Sequence, residues 1–266
     1  MESTKNYSKF ATSNQSTDKV LSIIELLAYS KEPVRLTDIA KELDSNSSTV
    51  LRFLNSLEHN GYVFKDTASG GYYMTYKICS LASSINRNTD IVSSSIPFIK
   101  KISAYTQECV CLSVEEGDSI VFVYVSEAPT QMLHTIHRVG TYAPLHCTGA
   151  GKVFLADKSD EELDGYILRR GLQKFNDNTI TTRDKLLLEM NATRFRDYGL
   201  DNEECEDGVR CIGLPIRNYT GRVIASISIT GPASRITDEY ITKNIAELKT
   251  IAHSLSNKLG FSEAGT

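Results

Sequence analysis

The chain has 266 residues, of which 41% are apolar and 23% charged, and a formal net charge of −4. That length suits a small domain followed by a medium one, with the balance of an ordinary soluble globular protein. No apolar run approaches the ~20 residues needed to cross a bilayer, and the mild acidity excludes coating nucleic acid through bulk charge, though not a local reading head. Met1 to Thr17 lacks the apolar core of a signal peptide, so a cytoplasmic protein with no membrane partner is expected.

In chain order, Val20, Ile23, Ile24 and Leu27 recur at helical spacing, with Ser16 and Thr17 offered as N-caps. After the break at Lys31-Glu32-Pro33, Thr37 is placed to cap a short helix whose inner face is Ile39, Ala40 and Leu43. The polar turn Asp44 to Ser47 offers the next cap. A third helix follows, with Val50, Phe53, Leu54 and Leu57 on one face and Ser48, Thr49, Arg52, Asn55 and Ser56 on the other. Tyr62 to Lys65 and Tyr72 to Met74, around the turn Asp66 to Gly71, read as a hairpin. Helix, helix-turn-helix, hairpin is the order of a winged helix-turn-helix. We place it at 14–77, with the helix-turn-helix at about 36–55.

Ile78, Leu81, Ala82 and Ile85 mark a linker helix within 78–95, and residues 96–262 form the second domain. There a helix carries Phe98, Ile102 and Tyr105. Cys109 to Glu115 and Ile120 to Ser126 alternate around Gly117-Asp118 as paired strands. Met132 to Val139 is expected to be a third strand. Helices are expected over 148–157, 160–170, 182–198 and 238–259. Val209 to Ile216 and Val223 to Thr230 complete the strands, giving an α+β chain.

A recognition helix presents short polar side chains and an arginine to the major groove, where base edges carry a distinct donor and acceptor pattern. Arg52 is the basic residue on the polar face, able to fork onto a guanine or clamp a phosphate. Ser47, Ser48 and Thr49 suit phosphates at the helix N-terminus, Thr37 and Asn55 flank them, and Lys65 reaches from the hairpin. Residues 1–78 hold nine Lys/Arg and nine Asp/Glu. That neutrality weakens the electrostatic case unless several copies bind together.

The chain resembles the IclR family of bacterial transcriptional regulators over nearly its whole length. The first domain carries Leu36-Thr37-Asp38-Ile39-Ala40, Ser48-Thr49-Val50-Leu51-Arg52-Phe53-Leu54 and Gly61-Tyr62-Val63. The second carries Gly140, Pro144-Leu145-His146, Gly149, Gly151-Lys152, Thr179-Ile180-Thr181, Tyr198-Gly199 with Asp201, Glu203 and Glu204, Gly208-Val209-Arg210-Cys211-Ile212, Pro215-Ile216 and Ile227 to Pro232. The resemblance implies a GAF-like mixed α/β effector-binding domain and a homodimer or dimer of dimers on a palindromic double-stranded operator. It also implies a repressor of catabolic genes, controlled by a small carboxylate such as an oxo acid or sugar acid. No catalytic residue, metal or cofactor is expected.

By residue-to-residue correspondence, the family's oxo-acid contacts fall on Gly149, Ala150, Asp201, Cys211, Ser228 and Thr230. Local chemistry is compatible with this. Thr148 can cap a helix whose first amides then face an anion, and glycine at 149 would let a ligand approach. Ser228 and Thr230 put two hydroxyls on one side of a strand, for a ligand or for nearby backbone. Cys211, on the facing strand, is either a small core filler or a ligand contact, and Asp201 leads an acidic run that otherwise reads as a solvated loop.

Other signals point elsewhere. Gly149-Ala150-Gly151-Lys152 is no phosphate loop, because His146 and Val153 stand where such a loop has Gly and Ser/Thr. Lys152 is expected to make a structural or interface contact. His134 and His137, three apart on a strand, would point to opposite faces and not converge on a metal. A hydrolase lacks its Gly-x-Ser-x-Gly elbow. A redox- or partner-responsive regulator is the remaining alternative, with Cys109 and Cys111 as its handle.

Overall fold

The computed structural model describes residues 14–88, 90–128, 130, 131, 135 and 137–262. The chain divides into two units, Met1–Thr89 and Asp90–Thr266. The first contains α1 (Gln15–Tyr29), α2 (Leu36–Glu42), α3 (Ser47–His59), β1 (Val63–Lys65), β2 (Tyr72–Met74) and α4 (Lys77–Asn88). Ile23, Leu27, Ile39, Val50, Phe53, Leu54, Leu57, Val63 and Tyr72 make its core. The helical periodicities therefore pack as their spacing requires. The hairpin pairs Val63 with Met74 and Lys65 with Tyr72, and a single bridge from Val34 to Tyr72 ties the α1–α2 connection to it.

The caps differ from expectation. Helix α1 starts early, with the Asn14 side chain accepting from the Ser16 amide, so Ser16 and Thr17 lie inside it. Helix α2 starts at Leu36, leaving Thr37 within its first turn, and α3 begins after Asn46 with no side-chain cap. The hydroxyls of Thr37 and Ser47 are thereby released from capping.

The second unit contains α5 (Ile91–Thr106), β3 (Cys109–Glu116), β4 (Ser119–Ser126), β5 (Tyr142–Pro144), α6 (Gly149–Ala156), α7 (Asp160–Arg170), α8 (Arg183–Arg196), β6 (Gly199–Asn202), β7 (Val209–Arg217), β8 (Val223–Pro232) and α9 (Asp238–Lys258). The stretch 78–95 thus spans most of α4 and the start of α5, on either side of the division. Of the strand expected over 132–139, Met132, Leu133, His134 and Ile136 lie outside the described residues. Thr135, His137, Arg138 and Val139 are in no strand; the partner of β4 is instead the edge strand β5, through Ser119↔Pro144 and Val121↔Tyr142.

The strands form one antiparallel sheet in the order β5-β4-β3-β8-β7-β6. Because side chains alternate across a strand, its two faces have different compositions. Val110, Leu112, Ile212, Leu214, Ile216, Ile227 and Ile229 point to one side, against Ile99 and Ile102 of α5 and Leu248, Ile251 and Leu255 of α9. The other side carries Cys109, Cys111, Cys211, Gly213, Ser226, Ser228 and Thr230, which the register sets beside one another.

Helix α6 lies on this small-residue face with almost nothing between backbones. A Cβ at Gly149 would stand 2.7 Å from the Cys211 carbonyl oxygen, and one at Gly199 or Gly213 would overlap the Gly149 carbonyl oxygen. Three glycines from α6, β6 and β7 therefore meet at one point, and the small side chains of the face follow from the same need for room.

Candidate functional site

In the first unit the polar face of α3 is left to solvent. Ser47, Ser48, Arg52 and Asn55 are exposed, as are Thr37 and Lys65, while Thr49 is half-buried. The Arg52 guanidinium rests 5.5 Å from the Phe53 ring centroid, and the Lys65 ammonium 5.5 Å from that of Tyr72. Both cations remain available for a phosphate or base edge. A recess of about 630 Å³ at the α2–α3 turn is lined by Lys19, Thr37, Lys41, Ser45, Ser47 and Thr49, among others. Lys19 and Lys41 escape the sequence reading: Lys19 belongs to α1 and reaches the turn only in three dimensions, donating to Ser45 Oγ at 2.9 Å. Two lysines and one carboxylate, Asp44, stand over hydroxyls and a helix N-terminus, a corner that on balance attracts anions.

In the second unit the six residues proposed from correspondence converge. Cys211 faces Thr230 across β7–β8 and Asp201 across β6–β7, while Ser228 faces Gly213. The Thr230 hydroxyl donates to Cys211 Sγ at 3.2 Å. Burial pushes the Cys211 thiol up to about 12, so it is a neutral thiol and a weak hydrogen-bond acceptor. Thr148 caps α6 by accepting from the Gly151 amide at 3.0 Å, and its carbonyl takes the Lys152 amide. The amides of Gly149 and Ala150 stay outside the helix's own bonding and lie toward β7. The close approach expected of a ligand at Gly149 is made by the β7 backbone; this corrects the reason for that glycine.

Asp201 is no loop residue. It sits buried on β6, accepting from the Glu204 amide at 2.8 Å, and desolvation raises its carboxyl to about 7. A carboxyl that is partly protonated near neutrality can donate to an anionic oxygen as well as accept.

Beneath it lies a buried ion pair. Lys152, fully buried on α6, donates to Glu204, to the Leu200 carbonyl at 2.6 Å and to Glu189 at 3.3 Å. A lysine within the otherwise apolar Gly149–Ala156 helix was a usable sign of a buried partner, whereas Glu204, lost in an acidic run, gave none. Thr179 supports the same loop, donating to the Glu204 carbonyl at 2.7 Å while accepting from the amides of Phe175 and Asn176. His146 is satisfied by Tyr166 Oη at 3.1 Å and the Gln173 carbonyl at 3.0 Å, so its burial is structural. Burial also lowers its pKa, leaving a neutral ring.

Residues 16–67 match the IclR helix-turn-helix domain, and residues 83–257 match the bacterial transcriptional regulator IclR C-terminal domain. The chain belongs to the IclR family. It is 32% identical over 243 residues to the HTH-type transcriptional regulator KdgR of Dickeya chrysanthemi, covering 91% of this chain and 79% of that one. It is 29% identical to the HTH-type transcriptional repressor AllR of Escherichia coli K12, covering 92% and 90%. Among solved structures it is similar to the Thermotoga maritima IclR, with a TM-score of 0.62, 29% identity and coverage of 92% of this chain and 99% of the other. This IclR-family chain is a DNA-binding transcriptional regulator and not an enzyme, with an N-terminal helix-turn-helix unit and an α+β C-terminal domain. None of its described helices is long and apolar enough to cross a membrane.

Proposed function

We propose that this regulator is a cytoplasmic repressor of catabolic genes whose operator affinity is set by a small carboxylate, an oxo acid or sugar acid. The convergence of Gly149, Ala150, Asp201, Cys211, Ser228 and Thr230 at the N-terminus of α6 carries this reading. The helix end supplies partial positive charge, two first-turn amides and two hydroxyls supply donors, and Asp201 supplies a carboxyl that can share a proton with the ligand. Thr230 spends its donor on a thiol, a poor acceptor that a carboxylate oxygen outcompetes. The relative AllR is a transcriptional repressor, which supports the direction of control.

Residues 14–77 then form the reading head, 78–95 the linker and 96–262 the sensor. Two or four copies read a palindrome, which makes up for the near neutrality of each head. Thr37, Ser47, Ser48, Thr49, Arg52, Asn55 and Lys65 contact DNA, joined by Lys19 and Lys41 at the turn.

Selection of genomic fragments by the purified protein tests the reading head. A few palindromic upstream sites are expected for the wild type. Arg52→Ala should weaken them by about 1–3 kcal/mol, roughly 5- to 150-fold. Equal enrichment by both proteins would place the DNA contact on another face. With an operator in hand, organic acids are screened for an effect on its affinity. Ser228→Ala with Thr230→Val is expected to bind the operator normally and lose a response of about 5- to 150-fold. A retained response would put the pocket elsewhere.

A further inference from the structure

Three soft donors in the second unit take no part in the carboxylate reading, and packing accounts for the two sulfurs but not for the imidazole beside them. Cys109 and Cys111 are two apart on β3, both fully buried, with their sulfurs 3.9 Å apart on the small-residue face. His137 comes to the same spot from the segment between β4 and β5. Its ring packs on Phe122 at 4.8 Å between centroids, and its Nε2 is buried with no hydrogen-bond partner among the described residues. The two sulfurs and a ring nitrogen of His137 all lie within 4.8 Å of one another.

These distances suit a metal as well as a core, and the orphaned imidazole nitrogen decides between them. In a tetrahedral zinc site, bonds of about 2.3 Å to sulfur and about 2.0 Å to nitrogen hold the donors roughly 3.6–3.8 Å apart. The two sulfurs already stand near that separation, and the ring nitrogen needs to close by only about 1 Å. An apolar wall such as Phe122 gives a buried imidazole nitrogen no compensation for its lost water, whereas a cation would. The sequence sets His137 against His134 on one strand; His137 is in no strand, and the donors it meets are the two cysteines of β3.

We propose that Cys109, Cys111 and His137 form a binding site for a thiophilic divalent cation of the zinc type. Two thiols and an imidazole select such an ion over calcium or magnesium, which take oxygen donors. Binding displaces the two thiol protons to solvent and leaves two thiolates and a neutral ring around the metal. Three protein ligands leave a fourth position, as in zinc sites that accept an outside ligand. Thr230 and Ser228, the cross-strand neighbours of Cys109 and Cys111, share that face. The site stands whether or not an organic acid is the effector.

The test uses the full-length, metal-stripped protein under reducing conditions, titrated with Co²⁺ and then with Zn²⁺. One Co²⁺ per chain is expected, with sulfur-to-cobalt charge-transfer absorption that Zn²⁺ abolishes. His137 lies outside the helices and strands, so His137→Ala should keep its circular dichroism spectrum. That variant should bind Co²⁺ at least about tenfold more weakly, since even outer-sphere partners of a metal act on this scale. Cys109→Ser with Cys111→Ser should lose the band, and Cys147→Ser with Cys205→Ser should keep it. Absence of the band in the wild type overturns the proposal. So does a folded His137→Ala protein with unchanged affinity, or a band that survives loss of both Cys109 and Cys111.

Discussion

The two faces of the six-stranded sheet meet different demands. The face under α5 and α9 is filled by Ile, Leu and Val, where side-chain volume does the packing and any one contact is a small part of the whole. The face under α6 is built of Gly, Cys, Ser and Thr, where backbone meets backbone and each polar group needs its own partner. A core of the first kind gives stability and tolerates change. A core of the second kind gives less burial per residue, but it holds a helix N-terminus, hydroxyls, thiols and a raised carboxyl in fixed positions.

The contrast is testable by substitution. The largest effect is expected at Lys152→Met, which leaves Glu204 buried without its cation and should cost about 3–5 kcal/mol in urea unfolding. Pairing it with Glu204→Gln should recover part of that loss; no recovery would mean that Lys152 acts through packing alone. Next comes a matched pair on adjacent residues of β7. Gly213→Ala drives a methyl into the Gly149 carbonyl and should cost about 3 kcal/mol, whereas Ile212→Val, one residue away on the aliphatic face, should cost about 1 kcal/mol. Equal costs would erase the distinction between the faces.

The smallest effect is a slope. The Asp201 carboxyl titrates at about 7 when folded, against an ordinary value of 3.8. The folded protein therefore holds a proton that the unfolded chain releases. The contribution of Asp201 is most favourable below pH 4, is lost as pH rises through 7, and then levels off. In between, the slope approaches about 1.4 kcal/mol per pH unit. Asp201→Asn should remove this component, so its stability relative to wild type should grow from pH 4 to pH 7. Parallel profiles would show that Asp201 titrates alike in the folded and unfolded chain.

Much of the fold could be read from periodicity. Val50, Phe53, Leu54 and Leu57 fix the inner face of α3, and the alternation in β3, β4, β7 and β8 fixes their pairing. Strands β5 and β6 could not be read this way, since three or four residues are too few for alternation, and Asp201 and Asn202 look like loop. Helices α1 and α2 start before the residues expected to cap them, because geometry rather than residue type decides where a helix begins. The candidate effector residues rest on the family motifs, not on any local pattern. The buried Lys152–Glu204 pair, the Lys19 side of the α2–α3 recess and the approach of His137 to β3 are long-range juxtapositions, which no local pattern encodes.

The glycine junction of α6 with β6 and β7 has a mechanical consequence. Side chains between a helix and a sheet act as a cushion, because rotamers can shift and let the helix slide. Here no side chain lies between Gly149 and the backbones of Cys211 and Gly213. A joint without padding has no play. Anything that wedges against the start of α6 must tilt the helix together with its strands or be refused entry, so a molecule one atom too bulky is rejected by the main chain itself.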